Sequence, residues 1–138
     1  MRLAVVALTA ALAVSGCGGI LSPDLFVVTR SGSSPGAKLT LLVNEEGVVH
    51  CNGGPEHRLD DAQIIQARTI QEDLKEPASR HASFPPAPGS VLSYSVRDQD
   101  GTVRFSDNSR GQPSVTRRLA AFVLEVAGKV CGISQTGA

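Results

Sequence analysis

Four residues of the types that bind metals or attack substrates fall within one short stretch of the chain: His50, Cys51, Glu56 and His57. Zinc sites combine such ligands at recurring spacings, and the spacing here matches none of the common patterns. A cysteine nucleophile at Cys51 would need a nearby base, but its neighbour His50 points to the opposite face if the stretch is a strand. We therefore expect a strand-end histidine and a surface histidine, with no metal centre.

The acidic residues that could share a proton are better explained by a helix. Asp60 and Asp61 are adjacent, and Glu72, Asp73 and Glu76 follow within the same helical segment. Acid–base catalysis by two carboxyls needs a cleft that raises the pKa of one of them, whereas a helix cap and a solvated helix face need no cleft. The sequence also lacks the G-x-S-x-G, H-E-x-x-H, P-loop and dinucleotide-binding motifs. We predict no catalytic residues and no cofactor.

Charge and composition narrow the classes of partner. Lys plus Arg and Asp plus Glu balance at 13 each, and the 138 residues fit a single domain. Nucleic-acid binding is not expected, because the chain has no basic excess. Four Phe, one Tyr and no Trp are too few aromatic side chains for a carbohydrate-stacking platform.

The elements that must position these residues begin with three strands. Apolar runs at 25–30 and 37–44 are followed by 48–51, across a turn in which Gly47 suits the positive φ of a hairpin loop. A helix then begins after Asp60, where Gln63 three residues later completes a capping box. We expect this helix to end at Pro77 and a proline-rich connection to follow.

The second half of the chain repeats the arrangement with two strands and a helix. Residues 92–97 and 102–106 alternate between apolar and polar side chains, which predicts strands with one buried face. A helix follows from Pro113 to Gly132, with its apolar residues on one side. The order βββαββα predicts a two-layer α+β fold, in which two helices cover one face of an antiparallel sheet of about five strands.

The N-terminal region has the pattern of an exported protein. Arg2 precedes an uncharged run over 3–14, which has the length of a signal peptide and is too short to cross a bilayer. The run ends in a motif that resembles the lipobox of bacterial lipoproteins: Val14, Ser15, Gly16 and Cys17. An ordinary secretory signal is the alternative.

The lipobox resemblance, which implies the signal peptide and the lipid, and the pattern of strands and helices together predict a chain with four parts. Residues 1–16 are a lipoprotein signal peptide that is removed, and 17–23 form the lipidated cysteine and its tether. Residues 24–133 form the single α+β domain, and 134–138 form a flexible tail. Lipid on Cys17 would hold this domain on the extracytoplasmic face of the cell membrane, since two or more acyl chains anchor a protein stably.

Assigning Cys17 to the lipid leaves two cysteines, Cys51 and Cys131, in an oxidising compartment. The resemblance therefore implies a disulfide between them. Two buried free thiols, or a reactive thiol at Cys51, are the alternatives.

Two further resemblances concern the domain itself. Residues 24–32, 51–54, 105–107 and 130–132 are similar to segments of small actinobacterial membrane lipoproteins, which implies location and fold only. The Arg30-Ser31-Gly32 segment with the nearby Gly36, and the hairpin end at 105–107, resemble emfourin-like inhibitors of thermolysin-type metalloproteases. That resemblance implies a protease as partner, although emfourin-like proteins mostly lack the cysteine pair.

The sequence favours a noncatalytic binding module at the cell surface, whose partner is a protein or an envelope component. Its contacts are expected in two loops, 30–36 and 106–112, and the candidate contact residues are Arg30, Ser31, Gly32, Asp107 and Asn108. The alternatives are an emfourin-type protease inhibitor and a passive structural or assembly lipoprotein. A small hydrolase or metal protein would require His50, His57 and His81 to come together.

Overall fold

The computed structural model describes residues 23–133. The predicted signal peptide, the lipid attachment at Cys17 and the tail at 134–138 lie outside the described residues. Within residues 23–133, no helix combines the length and the apolar composition needed to cross a membrane.

The described chain forms one antiparallel sheet and two α-helices, which confirms the predicted α+β class and its single disulfide. The sheet has six strands in the order β4-β3-β2-β1-β5-β6. In chain order, the elements are β1 (Asp24–Gly32), β2 (Leu39–Asn44), β3 (Val48–Cys51), β4 (Glu56–Arg58), α1 (Asp61–Ser79), β5 (Leu92–Arg97), β6 (Thr102–Ser106) and α2 (Ser114–Glu125), which continues into a π-helical turn (Val126–Val130).

The sixth strand is β4, which lies between the predicted strand 48–51 and the predicted helix and was not predicted. Its three residues, Glu56, His57 and Arg58, pair with β3 at the edge of the sheet. None of them is apolar, so no alternation pattern is available to reveal the strand. A short, charged edge strand of this kind also discourages pairing with another chain.

The start of α1 follows the prediction, and its end does not. The Gln63 amide donates to Asp60 Oδ1 at 2.8 Å, and the Asp60 amide donates to Gln63 Oε1 at 3.0 Å, so the capping box is present. Pro77 lies inside the helix, where its ring removes one main-chain donor in the last turn. The chain leaves the helix at His81, which takes a left-handed conformation with φ 51°.

The core lies between one face of the sheet and the two helices. Alternate strand residues are buried on this face, and β1 at the centre contributes Phe26 and Val28. Phe26 meets Phe122 of α2 edge-to-face, with ring centroids 6.1 Å apart. The opposite face carries exposed polar residues such as Thr29, and we call it the open face.

The disulfide joins the two layers. Cys51 ends β3, and Cys131 follows the π-helical turn after α2, with 6.3 Å between their Cα atoms. The Cys131 amide donates to the Val126 carbonyl at 3.0 Å, which fixes the end of that turn. The predicted link between the third strand and the last helical segment is therefore confirmed.

We predict that opening this disulfide destabilises the domain. The bridge spans 80 residues, and a loop of that length constrains the unfolded chain by about 4–5 kcal/mol on the chain-entropy model. Urea denaturation with and without reductant should show a loss of this order. The Cys51→Ser/Cys131→Ser double variant serves as control and should not respond to reductant. An unchanged midpoint in the reduced wild-type protein would contradict the assignment.

Candidate functional site

The two loops that were expected to contact a partner lie side by side at one end of the sheet. Gly32 at the end of β1 pairs with Leu92, and the Asp107 amide donates to the Leu92 carbonyl at 3.0 Å. The Ser33 amide donates to the Val91 carbonyl at 3.2 Å. The proline-rich connection, residues 84–91, therefore lies between loops 30–36 and 106–112. We call these three segments together the loop end.

Gly32 is required by the close approach of these segments. A Cβ atom at this position would lie 2.1 Å from the Val91 carbonyl oxygen, far inside contact distance. Any larger residue would push β1 away from the start of β5. Gly32 therefore allows the end of β1 to pack closely against Val91.

Asp107 and Asn108 hold the proline-rich connection in place. The Asp107 carboxylate accepts from Ser90 Oγ at 2.8 Å and from the Val91 amide at 3.1 Å. Asn108 Oδ1 accepts from the Ala87 amide at 3.0 Å, and Asn108 Nδ2 donates to the Ala87 carbonyl at 3.1 Å. Both side chains are thus hydrogen-bonded within the protein, and they stabilise the conformation of the loop end.

Ser109 completes this network from the inside and was not predicted. Its buried hydroxyl accepts from the Ser106 amide at 2.8 Å and donates to the Phe84 carbonyl at 2.7 Å. Gln112 Nε2 donates to the Ser109 carbonyl at 2.9 Å. The Ser109 hydroxyl therefore joins loop 106–112 to the proline-rich connection. Nothing in the local sequence distinguishes Ser109 from an ordinary loop serine.

Arg30 was expected to contact a partner, and its position corrects that expectation. Its side chain is only 1% exposed, because it follows Phe26 and Val28 on the buried side of β1. Nε donates to the Ala37 carbonyl at 2.8 Å and Nη2 donates to the Gly36 carbonyl at 3.0 Å. Arg30 therefore holds loop 30–36 from beneath, and Ser31 and Gly32 remain exposed above it.

No acidic residue in the described part of the chain compensates the charge of Arg30. It forms no ion pair with any residue between 23 and 133, and Nη1 has no hydrogen-bond partner among them. Main-chain carbonyls and the adjacent Tyr94 supply its polar surroundings. A buried cation without a carboxylate is costly, and hydrogen bonds to carbonyl oxygens offset part of that cost.

Tyr94 connects Arg30 to the core. Its ring stacks on Phe105 with centroids 4.8 Å apart and an interplanar angle of 5°. Burial raises the pKa of Tyr94 above its usual value of 10.0, and the charge of Arg30 opposes this increase. The hydroxyl is thus kept neutral beside a cation.

The histidines do not come together. His50 pairs with Glu56 on the open face, and its Nδ1 donates to the Gly54 carbonyl at 2.9 Å. His57 pairs with the buried Val49 on the other face, and His81 follows α1. Among residues 23–133, no three potential ligands of the His, Cys, Asp or Glu types form a metal-binding cluster.

The part of the molecule best organised to meet a partner is therefore the loop end, which is exposed and held by internal hydrogen bonds. Comparison of the chain with protein-family models, curated proteins and solved structures finds no match.

We predict that the only tyrosine of the chain ionises above pH 10. Its raised pKa keeps the proton in the folded state after the unfolded chain has lost it, so the free energy of unfolding should fall as pH rises past 10. Absorbance at 295 nm follows this ionisation directly, because the chain has no Trp. A midpoint at or below pH 10 in the folded protein would contradict the burial of Tyr94.

Proposed function

We propose that this protein is a lipid-anchored, noncatalytic binding module that presents its loop end to a protein partner on the extracytoplasmic side of the membrane. The observation that carries the proposal is the arrangement of loops 30–36, 84–91 and 106–112 at the end of the sheet away from Pro23, the first described residue. Any anchor at Cys17 would connect to the domain through Pro23.

The length of β1 supports this orientation. Eight steps along the strand separate Asp24 from Gly32 by about 27 Å at the usual rise per strand residue. Residues 17–23 add at most about 20 Å of extended tether. A domain held by this tether can therefore turn the loop end away from the bilayer while staying close to it.

The hydrogen bonds of the loop end support binding. Association costs free energy when loops must become ordered, and rigid loops avoid part of that cost. Asn108, Asp107 and Ser109 already fix the backbone around Ala87, Val91 and Phe84. Exposed side chains such as Ser31 and Arg110 are then displayed on a fixed frame.

Inhibition of a protease is the second candidate, and the proline-rich connection favours it. Pro85, Pro86 and Pro88 are exposed, and the carbonyls of Ala87 and Pro88 both accept from Asn108 Nδ2. A loop that is stiff and internally hydrogen-bonded resists the distortion that cleavage requires. Purified protein should then inhibit a thermolysin-type or a serine protease. No inhibition at micromolar excess would eliminate this candidate.

The main proposal is tested by site-specific photo-crosslinking in intact cells. A photoreactive residue replaces Arg110, which is exposed at the loop end, and the control replaces Ile65, which is exposed on α1. We expect one discrete cross-linked protein from position 110 and none from position 65. Identical products from both positions, or no product from position 110, would contradict the proposal.

The same cells test the anchor separately. Mass spectrometry of the N-terminal peptide should find Cys17 as the first residue, carrying a diacylglyceryl group. An unacylated Cys17 would remove the membrane from the proposal and leave the loop-end contact to be judged by cross-linking alone.

A further inference from the structure

The open face of β1, β5 and β6 carries polar side chains in register. Because antiparallel pairs lie directly opposite each other, the register forms three cross-strand rows. These rows are Ser31–Ser93–Ser106, Thr29–Ser95–Arg104 and Val27–Arg97–Thr102.

The polar side chains in the middle of this face form no hydrogen bonds within the described part of the protein. The hydroxyls of Thr29, Ser95 and Thr102 make no hydrogen bond to another residue in the described part of the chain, and neither do the guanidinium groups of Arg97 and Arg104. This contrasts with part of the loop end, where the hydroxyls of Ser90, Ser106 and Ser109 are bonded internally. These groups are therefore available to a ligand.

The charge of this region is positive and uncompensated. Neither Arg97 nor Arg104 forms an ion pair with any residue between 23 and 133, although five such pairs occur elsewhere in that range. No acidic residue is among those that line the two hollows beside these arginines. The local field consequently favours an anion.

These side chains line two adjoining hollows that share Thr29, Ser95 and Arg104. One has a volume of about 370 Å³ and also contains Arg97 and Thr102. The other has a volume of about 330 Å³ and extends towards Ser93, with Phe84, Pro85 and Pro86 among its lining residues. Together they form a groove across the open face.

The backbone of Arg104 is fixed where the two hollows meet. Its amide donates to the Ala82 carbonyl at 3.0 Å, and its carbonyl accepts from the Phe84 amide at 2.8 Å. The segment that carries Phe84 and the prolines is thereby bound to the edge of β6. The backbone of Arg104 is thus fixed relative to the apolar residues that line the groove.

We propose that this groove binds a phosphate ester, with the phosphate between Arg97 and Arg104. The two arginines are diagonal neighbours on paired strands, with Cα atoms roughly 7–8 Å apart, so both planar groups can reach one tetrahedral anion. A carboxylate has two oxygens and is matched by a single guanidinium, whereas a phosphate offers enough oxygens for two guanidiniums and a hydroxyl. The alcohol part of the ester would lie along the hydroxyls towards Ser93.

The phosphate could belong to a soluble monoester or to the diester headgroup of a lipid, and the same contacts serve both. The site does not depend on acylation of Cys17 or on the loop-end partner. Failure of this proposal therefore leaves the proposed function standing, and failure of the proposed function leaves this site standing.

Isothermal titration of the full chain in detergent tests the site. The probes are glycerol 3-phosphate as a monoester and glycerophosphoglycerol as a soluble headgroup diester, with glycerol and glycerate as controls. We expect saturable binding of at least one phosphate ester, weaker binding of glycerate and none of glycerol. The preferred ester identifies the source of the phosphate.

Substitutions of single arginines test where the phosphate ester binds. Arg104→Gln and Arg97→Gln should each weaken binding of the preferred ester by about 10- to 100-fold, the usual effect of losing one charge-assisted contact. Arg117→Gln, on the exposed surface of α2, is the matched control and should bind as the wild type does. Thermal melts should show all three variants folded, because the three side chains are exposed.

Three results would overturn the proposal. The first is the absence of saturable binding of either ester. The second is glycerate binding as tightly as the esters do. The third is an equal loss of affinity in Arg117→Gln and Arg104→Gln, which would show that binding follows total charge and not this groove.

Discussion

Only one face of the sheet is covered, and this constraint determines where the rest of the molecule can act. Both helices pack on the face that contains Phe26 and Val28, so the apolar residues of each strand must alternate towards them. The disulfide fixes the end of the helical layer to β3. The opposite face is then free of packing demands, and serine, threonine and arginine can occupy it.

Arg30 links the covered face of the sheet to the loop end. It occupies a position on β1 that faces the core, yet its guanidinium extends to the carbonyls of Gly36 and Ala37. Tyr94 and its partner Phe105 lie beside it in the sheet. The core and loop 30–36 are therefore one structural unit, and the exposed neighbours Ser31 and Gly32 are positioned from the inside.

The sequence predicts those features that depend on residues close together in the chain. The alternation at 92–97 and 102–106 defines a hairpin, and Asp60 with Gln63 defines a helix start, since each depends on residues a few positions apart. The pairing of Cys51 with Cys131 followed from a resemblance and from cysteine number. The groove on the open face was not predicted, although its alternating polar residues were visible as the exposed side of strands.

Other features depend on contacts that the local sequence does not contain. The strand β4 forms because β3 offers it a pairing edge. The helix α1 continues to Ser79, past Pro77, whose side chain is buried. Arg30 is typical of an exposed residue by type, and only the alternation within β1 places it inside. Ser109 gains its role from the Phe84 carbonyl, which lies in a segment that is distant in sequence.

The loop end is held rigid by its internal hydrogen bonds before any partner arrives, and amide hydrogen exchange measures this rigidity. The amides of Ala87 and Ser106 donate to the side chains of Asn108 and Ser109, and they should exchange far more slowly than free amides. Asn108→Ala should speed exchange at Ala87 while leaving the β1 amide of Val28 protected. Exchange of Ala87 and Ser106 at the rate of an unstructured peptide in the wild-type protein would show that the loop end is not held rigid.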